Sequence, residues 1–297
     1  MKGVILAGGS GTRLSPMTSI IGKHLLYVYD KPMVYYPLAT LMSVGIKEIL
    51  IIAKERDLPF LKKLLGDGSD LGINIQFAIE KESNGIAYSL IMAESYIGNE
   101  SVCLILGDNI FCGHNELKNA IYTQNRKKGA YIWGYEVKDP QRFGIVAFNE
   151  SKKVLDIQEK PKYPKSNYAI TGFYVFDNKV IDYAKKIRKS FRNEYEITDV
   201  LQEYLQINNL KANILDNTYK WFDVGTPASL LEASNYIYKV FNEFGYSLGC
   251  IEEVAYEMGY ITIEQLENLI TKLPSCSYKT YLETILRSDH RSLSIFL

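Results

Sequence analysis

Short apolar runs alternate with amphipathic stretches through the first two-thirds of the chain. Val4 to Ala7, Glu48 to Ala53, Asn74 to Ile79 and Val102 to Leu106 read as buried strands. Between them, Met33 to Val44, Leu58 to Leu65 and Ile86 to Tyr96 carry helical spacing. Strand–helix alternation of this kind predicts an α/β fold with a mostly parallel sheet, and such sheets hold ligands at the carboxyl ends of their strands. Past Gly129 the pattern turns strand-rich: Ala130 to Val137, Gly144 to Phe148, Val154 to Ile157 and Tyr168 to Phe176. These predict antiparallel or mixed strands added to the first sheet. Helical spacing returns over Ile197 to Gln206 and Pro227 to Phe244. It continues in Glu252 to Met258, Ile263 to Lys272 and Lys279 to Leu286. Residues 1–244 are therefore expected to form one domain and residues 245–297 a small helical subdomain, with the Ile-Phe-Leu ending of Ser292 to Leu297 docking on a surface.

The first strand runs into Leu6-Ala7-Gly8-Gly9-Ser10-Gly11-Thr12-Arg13-Leu14. Glycines there let the backbone approach a ligand and aim N–H groups at phosphate oxygens. No Gly-Lys-Ser/Thr follows, so this is not a P-loop, and no acid stands after the second strand, which ends at Ala53-Lys54, to hold a dinucleotide ribose. Arg13 and Lys23 add two cations, a donor set suited to a polyphosphate. A tight turn with a surface Arg is the plainer alternative. Asp108 emerges beyond the strand Val102 to Leu106, and Asp223 follows Trp221-Phe222 before a turn. Two such acids suit a hard divalent cation that also binds phosphate; equally, each would serve as a local cap. Lys160, after the strand ending at Ile157, offers a point charge for a phosphate, and Glu159 an acceptor for hydroxyls.

Balance changes the picture by exclusion. Equal numbers of basic and acidic residues, 34 each, and a 47% hydrophobic content rule out disorder and leave no basic block for nucleic acid. No apolar stretch approaches the length of a membrane helix, and the opening residues are too short for a signal-peptide core. Cys103, Cys112, Cys250 and Cys276 lack metal or disulfide spacing, so cytoplasmic residence is expected. His24, His114 and His290 share no zinc spacing, and His24 reads as a packing residue.

The glycine-rich opening and Val28-Tyr29-Asp30-Lys31-Pro32-Met33-Val34-Tyr35-Tyr36-Pro37-Leu38 resemble the sugar-phosphate nucleotidylyltransferases, most closely their thymidylyl-transferring members. Leu64 to Ser69, Leu106-Gly107-Asp108-Asn109, Glu159-Lys160-Pro161, Glu196 to Val200 and Gly225-Thr226 with Ser229 to Ala233 extend the likeness along most of the chain. The resemblance implies a Rossmann-like nucleotidyltransferase fold, dTTP and a hexose 1-phosphate (glucose 1-phosphate) as substrates, Mg²⁺ as cofactor, and a homotetramer. By the same resemblance, Leu6, Gly8, Gly9, Gly11, Thr12, Glu80, Gly85 and Asp108 would hold the nucleotide. Asn109, Gly144, Glu159, Lys160, Ile170, Glu194 and the Thr171-Gly172 turn would hold the sugar phosphate. Asp108 and Asp223 would bind the metal, and Arg13, Lys23 and Lys160 would carry the chemistry.

Departures from the family gather at the nucleobase. Glu80 stands for a usual Gln, Ser83 for Pro and Tyr88 for Gln, so UTP or CTP stay open as alternatives to dTTP. Enough positions differ that a non-catalytic nucleotide-sugar-binding regulatory subunit is a further reading. Phe143 replaces a Tyr near the sugar, Tyr27 a Pro, and His24 a Gln. Glu257 replaces an Arg of a regulatory nucleotide site, which predicts weakened feedback inhibition by dTDP-rhamnose.

Overall fold

The parallel strands carry many of the fully buried residues of the protein. In a computed structural model describing residues 1–113, 128–216 and 218–287, they are β1 (Lys2–Ala7) and, after the two-residue β2 (Tyr27–Val28) and β3 (Lys31–Pro32), β4 (Glu48–Ala53), β5 (Asn74–Ile79) and β6 (Val102–Leu106). Val4, Ile5, Ile49, Ile51, Leu104 and Ile105 have no exposed surface, as expected for strands covered on both faces. They lie in the order β5-β4-β1-β6, all parallel. Helix Tyr35–Ser43 buries Leu38, Leu41 and Met42 on one face of this sheet, together with helix Leu58–Leu65. On the other face lies the expected helix over Ile86 to Tyr96, which is broken at Ala93 into Ile86–Met92 and Glu94–Ile97; the bend keeps Ala87, Leu90, Ala93 and Ile97 together against the sheet.

The later strands complete a mixed sheet. After β7 (Asn109–Cys112) come β8 (Ala130–Glu136), β9 (Gly144–Phe148), β10 (Val154–Glu159) and β11 (Tyr168–Phe176), followed by β12 (Leu210–Ile214) and β13 (Lys220–Asp223). β11 runs antiparallel to β6 through Phe173 to Phe176 and to β8 along its length, while β9 meets it at Ala169 and β10 extends β9. Between Ile170 and Tyr174 the β11–β8 register jumps, a bulge that frees the Gly172 N–H from the ladder. β7 and β13 form a separate antiparallel pair in which Asp223 faces Asn109. Neither β7 nor β13 carries enough alternation to be read as a strand from the sequence.

Helix Pro227–Phe244 begins in a capping box, Thr226 accepting from the Ser229 N–H and Ser229 from the Thr226 N–H. That satisfies the helix start without Asp223. Helices Ile251–Glu257, Ile263–Lys272 and Ser277–Arg287 follow and contribute Ile251, Val254, Leu266 and Leu282 to the same hydrophobic cluster as Leu38 and Leu41. Two readings made from the sequence, the histidines His114 and His290 and the docking of Ser292 to Leu297, lie outside the described residues.

Candidate active site

A cavity of about 680 Å³ opens at the carboxyl ends of the parallel strands. Its wall includes Leu6, Gly9, Ser10 and Arg13 from the glycine-rich loop, Glu80, Ser83 and Gly85 after β5, and Asn109 and Asp223 at the β7–β13 pair. Gly144, Glu159, Lys160, Ile170, Gly172, Arg192 and Glu194 close the opposite side. Of the sequence-predicted residues, Gly8, Gly11, Thr12, Lys23 and Asp108 do not reach the cavity wall, and Thr171 is fully buried behind it.

The β7–β13 register explains how two acids 115 positions apart come together. Asp223 pairs with Asn109, and the Val224 N–H donates to the Asp108 carbonyl at 2.9 Å. Burial alone would raise the Asp108 carboxyl, but the ion pair with Lys23 and the Asn109 Nδ2 donor at 3.0 Å outweigh it and hold it below the usual range. Asp223 goes the other way. Burial first, then the neighbouring Asp108 charge, push it up to about 6, against the opposing pull of Lys23 and Arg13. One carboxylate is thus neutralised while its partner is short of positive charge, an arrangement ready to accept a cation.

Asn109 organises this edge. Its Oδ1 accepts from the Gly172 N–H at 3.0 Å and from the Trp221 Nε1–H at 2.6 Å. A Cβ at Gly172 would fall 2.6 Å from the Asn109 side chain, so glycine is required there. Trp221 in turn packs edge-on against Phe143, ring centroids 5.5 Å apart, which gives Phe143 a packing role in place of a sugar-directed hydroxyl.

Lys23 is carried on a short turn pinned by Asp57, whose Oδ1 accepts from the Gly22 N–H at 2.9 Å. A Cβ at Gly9 would meet Lys23 Cε at 2.9 Å, so the glycine lets the lysine lie against the loop. The adjacent His24 is buried. Burial, then the Lys23 charge, lower its imidazole to about 3, so it is neutral and serves packing, as expected.

At the other end, Lys160 adopts a left-handed backbone (φ 39°) that turns it out of β10 beside the half-buried Glu159. Burial and Glu196 raise the Glu159 carboxyl, with Lys160, Arg192 and Thr198 opposing. Arg192, which sequence reasoning missed, holds this group together: it lies 3.3 Å from Glu159, 2.8 Å from Glu194 and 2.9 Å from Glu196. Its signal was the spacing Arg192-x-Glu194-x-Glu196, legible only as a surface charge run without the fold. Beyond β5, Tyr88 stacks on Tyr195 (5.8 Å) and stays out of the cavity wall, while Glu80 sits 3.2 Å from Lys54. Among the described residues no group of three or more His, Cys, Asp or Glu could hold a metal ion, and the four cysteines are free. Among the same residues no helix is long and apolar enough to cross a membrane.

Comparison with known proteins fits this geometry. A family profile described as nucleotidyl transferase matches residues 2–240. A glucose-1-phosphate thymidylyltransferase of Neisseria meningitidis is 44% identical over 287 residues, 97% of this chain and 100% of that one. One from Xanthomonas campestris is 45% identical over 284 residues, 96% of each chain. A Bacillus anthracis structure assigned as a glucose-1-phosphate thymidylyltransferase, with sucrose bound, superimposes with a TM-score of 0.74 at 39% identity, covering 80% of this chain and 94% of that one. A UDP-glucose pyrophosphorylase bound to UDP-glucose matches at TM-score 0.72 over 80% of this chain and 98% of its own; at 24% identity it bears on the fold alone.

Proposed function

This chain belongs to the nucleotidyl transferase family, among relatives named glucose-1-phosphate thymidylyltransferase, and we propose that it transfers a thymidylyl group from dTTP to glucose 1-phosphate, giving dTDP-glucose and pyrophosphate. The observation that carries this reading is that one cavity joins a glycine loop with Arg13, the Asp223 carboxylate with Asp108 and Lys23 directly behind it, and a polar wall bearing Lys160. A sugar phosphate and a triphosphate need those three neighbourhoods side by side.

The reaction exchanges one phosphoanhydride bond for another. An oxygen of the sugar phosphate attacks the α-phosphorus while pyrophosphate leaves in line. Lys160 holds the attacking phosphate, Arg13 and the loop amides hold the departing one, and Lys23 stands next to the reacting centre. Phosphate monoesters are largely ionised near neutral pH, so no side chain has to remove a proton. Glu159, Glu194 and Arg192 orient the sugar hydroxyls.

Magnesium fits the Asp108–Asp223 pair. Two hard carboxylates, of which Asp223 lacks a full counter-charge, suit an ion that fills its remaining positions with phosphate oxygen and water. Bound there, it would supply charge neutralisation on the triphosphate. Residues 1–244 form the catalytic part in this proposal, a boundary supported by the profile's end at residue 240, with the later helices as an appended subdomain. A homotetramer is the proposed assembly, supported by the exposed Tyr29, Leu231, Tyr238 and Phe244; cytoplasmic residence fits the free cysteines. The test is pyrophosphate release from dTTP, UTP and CTP with glucose 1-phosphate, with and without EDTA. Fastest release with dTTP, abolished by EDTA, is expected; no release from any triphosphate would sink the proposal.

A further inference from the structure

We propose that Lys54 is a positioning residue that sets nucleobase choice by fixing Glu80 and Ser83, an inference that rests on the transferase reading above. β4 and β5 run parallel with Ala53 opposite Ile79, and the Glu80 N–H donates to the Ala53 carbonyl at 2.8 Å. The next residue along β4, Lys54, therefore stands beside Glu80. Its Nζ lies 3.2 Å from Glu80 Oε2 and donates to Ser83 Oγ at 2.8 Å. Glu80 and Ser83 line the cavity; Lys54 stands behind them. The Glu80 side chain is only 8% exposed, and among the described residues its Oε2 has no hydrogen-bond partner. A Cβ at Gly8 would fall 1.8 Å from that oxygen, so the carboxylate lies flat against the glycine loop.

The chemistry follows from donor and acceptor counts. Thymine and uracil present an N3–H beside a C4 carbonyl, so a reader needs an acceptor next to a donor. Ionised Glu80 is an acceptor only. Ser83 Oγ already accepts from Lys54, which leaves its own hydroxyl hydrogen free to donate. The ammonium also offsets the charge that would otherwise repel a base carbonyl. Lys54 thus divides between two side chains the pattern a single amide would supply. The difference lies in exclusion: an amide can rotate to donate to the N3 of cytosine, whereas a carboxylate held opposite N3 has no hydrogen to donate and repels that lone pair.

The test uses the full chain with glucose 1-phosphate and dTTP, UTP or CTP, comparing the unaltered protein with K54M, K54R, E80Q and K54M/E80Q. The unaltered protein should prefer dTTP over CTP by roughly a hundredfold or more in kcat/KM, the scale set by leaving a buried polar group unpaired. K54M should raise KM for dTTP about tenfold with kcat within about twofold, and K54R should stay within about threefold of the unaltered protein. E80Q should narrow the gap between dTTP and CTP, and K54M/E80Q should resemble E80Q alone, because Lys54 acts through the carboxylate. Equal penalties for K54M in both backgrounds, or equal use of CTP and dTTP by the unaltered protein, would overturn the proposal. If K54M melts below assay temperature, K54Q decides in its place, an unchanged KM for dTTP counting against. Failure of the unaltered protein with every triphosphate overturns the transferase reading itself; activity with dTTP and an additive cycle overturns only the part given to Lys54.

Discussion

Carboxylates crowd together in two regions of this molecule, and they are treated in opposite ways. At the β7–β13 edge, Asp108 pairs with Lys23, which with Arg13 also acts on Asp223, and Asp223 faces the cavity. Beneath the last helix, Glu252 and Glu253 are closed off by phenols: Tyr278 donates to Glu252, and Tyr281 to both oxygens of Glu253 at 2.8 Å. The cation of that second region is Lys31, 2% exposed, 2.8 Å from both oxygens of Asp30 and 5.4 Å above the Tyr278 ring. Crowded acids by themselves therefore do not mark a ligand site. Mobile solvent access and an incomplete set of partners do, whereas fixed hydroxyl donors turn the same charges into structural joints.

The sharpest way to break this contrast is to neutralise each region in turn. Asp108→Asn with Asp223→Asn should cut kcat/KM by about a thousandfold or more, since both proposed metal ligands and the counter-charge for Lys23 are lost. Glu252→Gln with Glu253→Gln should leave turnover within about twofold by steady-state assay. A reversed pattern would erase the distinction. Next in size, Lys31→Met removes the buried cation of the terminal junction; breaking such a pair typically costs about 3–5 kcal/mol, read as a fall in Tm by calorimetry. The active site should keep its KM values below the lowered transition.

The smallest effect is a pH dependence. Burial, then the Glu257 charge, push the Glu253 carboxyl up to about 8 from its ordinary 4.5, with Tyr281 and Lys31 opposing. The folded protein then binds a proton there that the unfolded chain has lost, so stability falls as pH rises between those values and is level outside them. Glu253→Gln should flatten the decline, with a Tm gain of a few degrees near pH 8 that vanishes below about pH 4.5. A constant offset at every pH would show that Glu253 is not the titrating group.

The parallel half of the fold was legible because strands buried on both faces read as unbroken apolar runs; Glu48–Ala53 and Val102–Leu106 have the same bounds in sequence and structure. Asp108 and the glycine loop were visible for the same reason, standing where such strands end. What stayed hidden depends on long-range pairing. The four-residue strands β7 and β13 gain their conformation from each other, so nothing local placed Asp223 opposite Asn109. Arg192 and Lys54 look like ordinary surface cations until the fold brings Glu159 to one and Glu80 to the other. The resemblance to known enzymes supplied residue positions that spacing alone did not.

One acceptor atom, Asn109 Oδ1, takes a hydrogen from the bulge in β11 and another from Trp221. Three stretches of polypeptide, distant in order of synthesis, converge on it. A nascent chain that has released only its first half thus cannot close the wall of the cavity built on Gly172 and Trp221, however well its parallel strands have formed. Affinity for the sugar phosphate would arrive late and all at once, making its binding a reporter of completed folding.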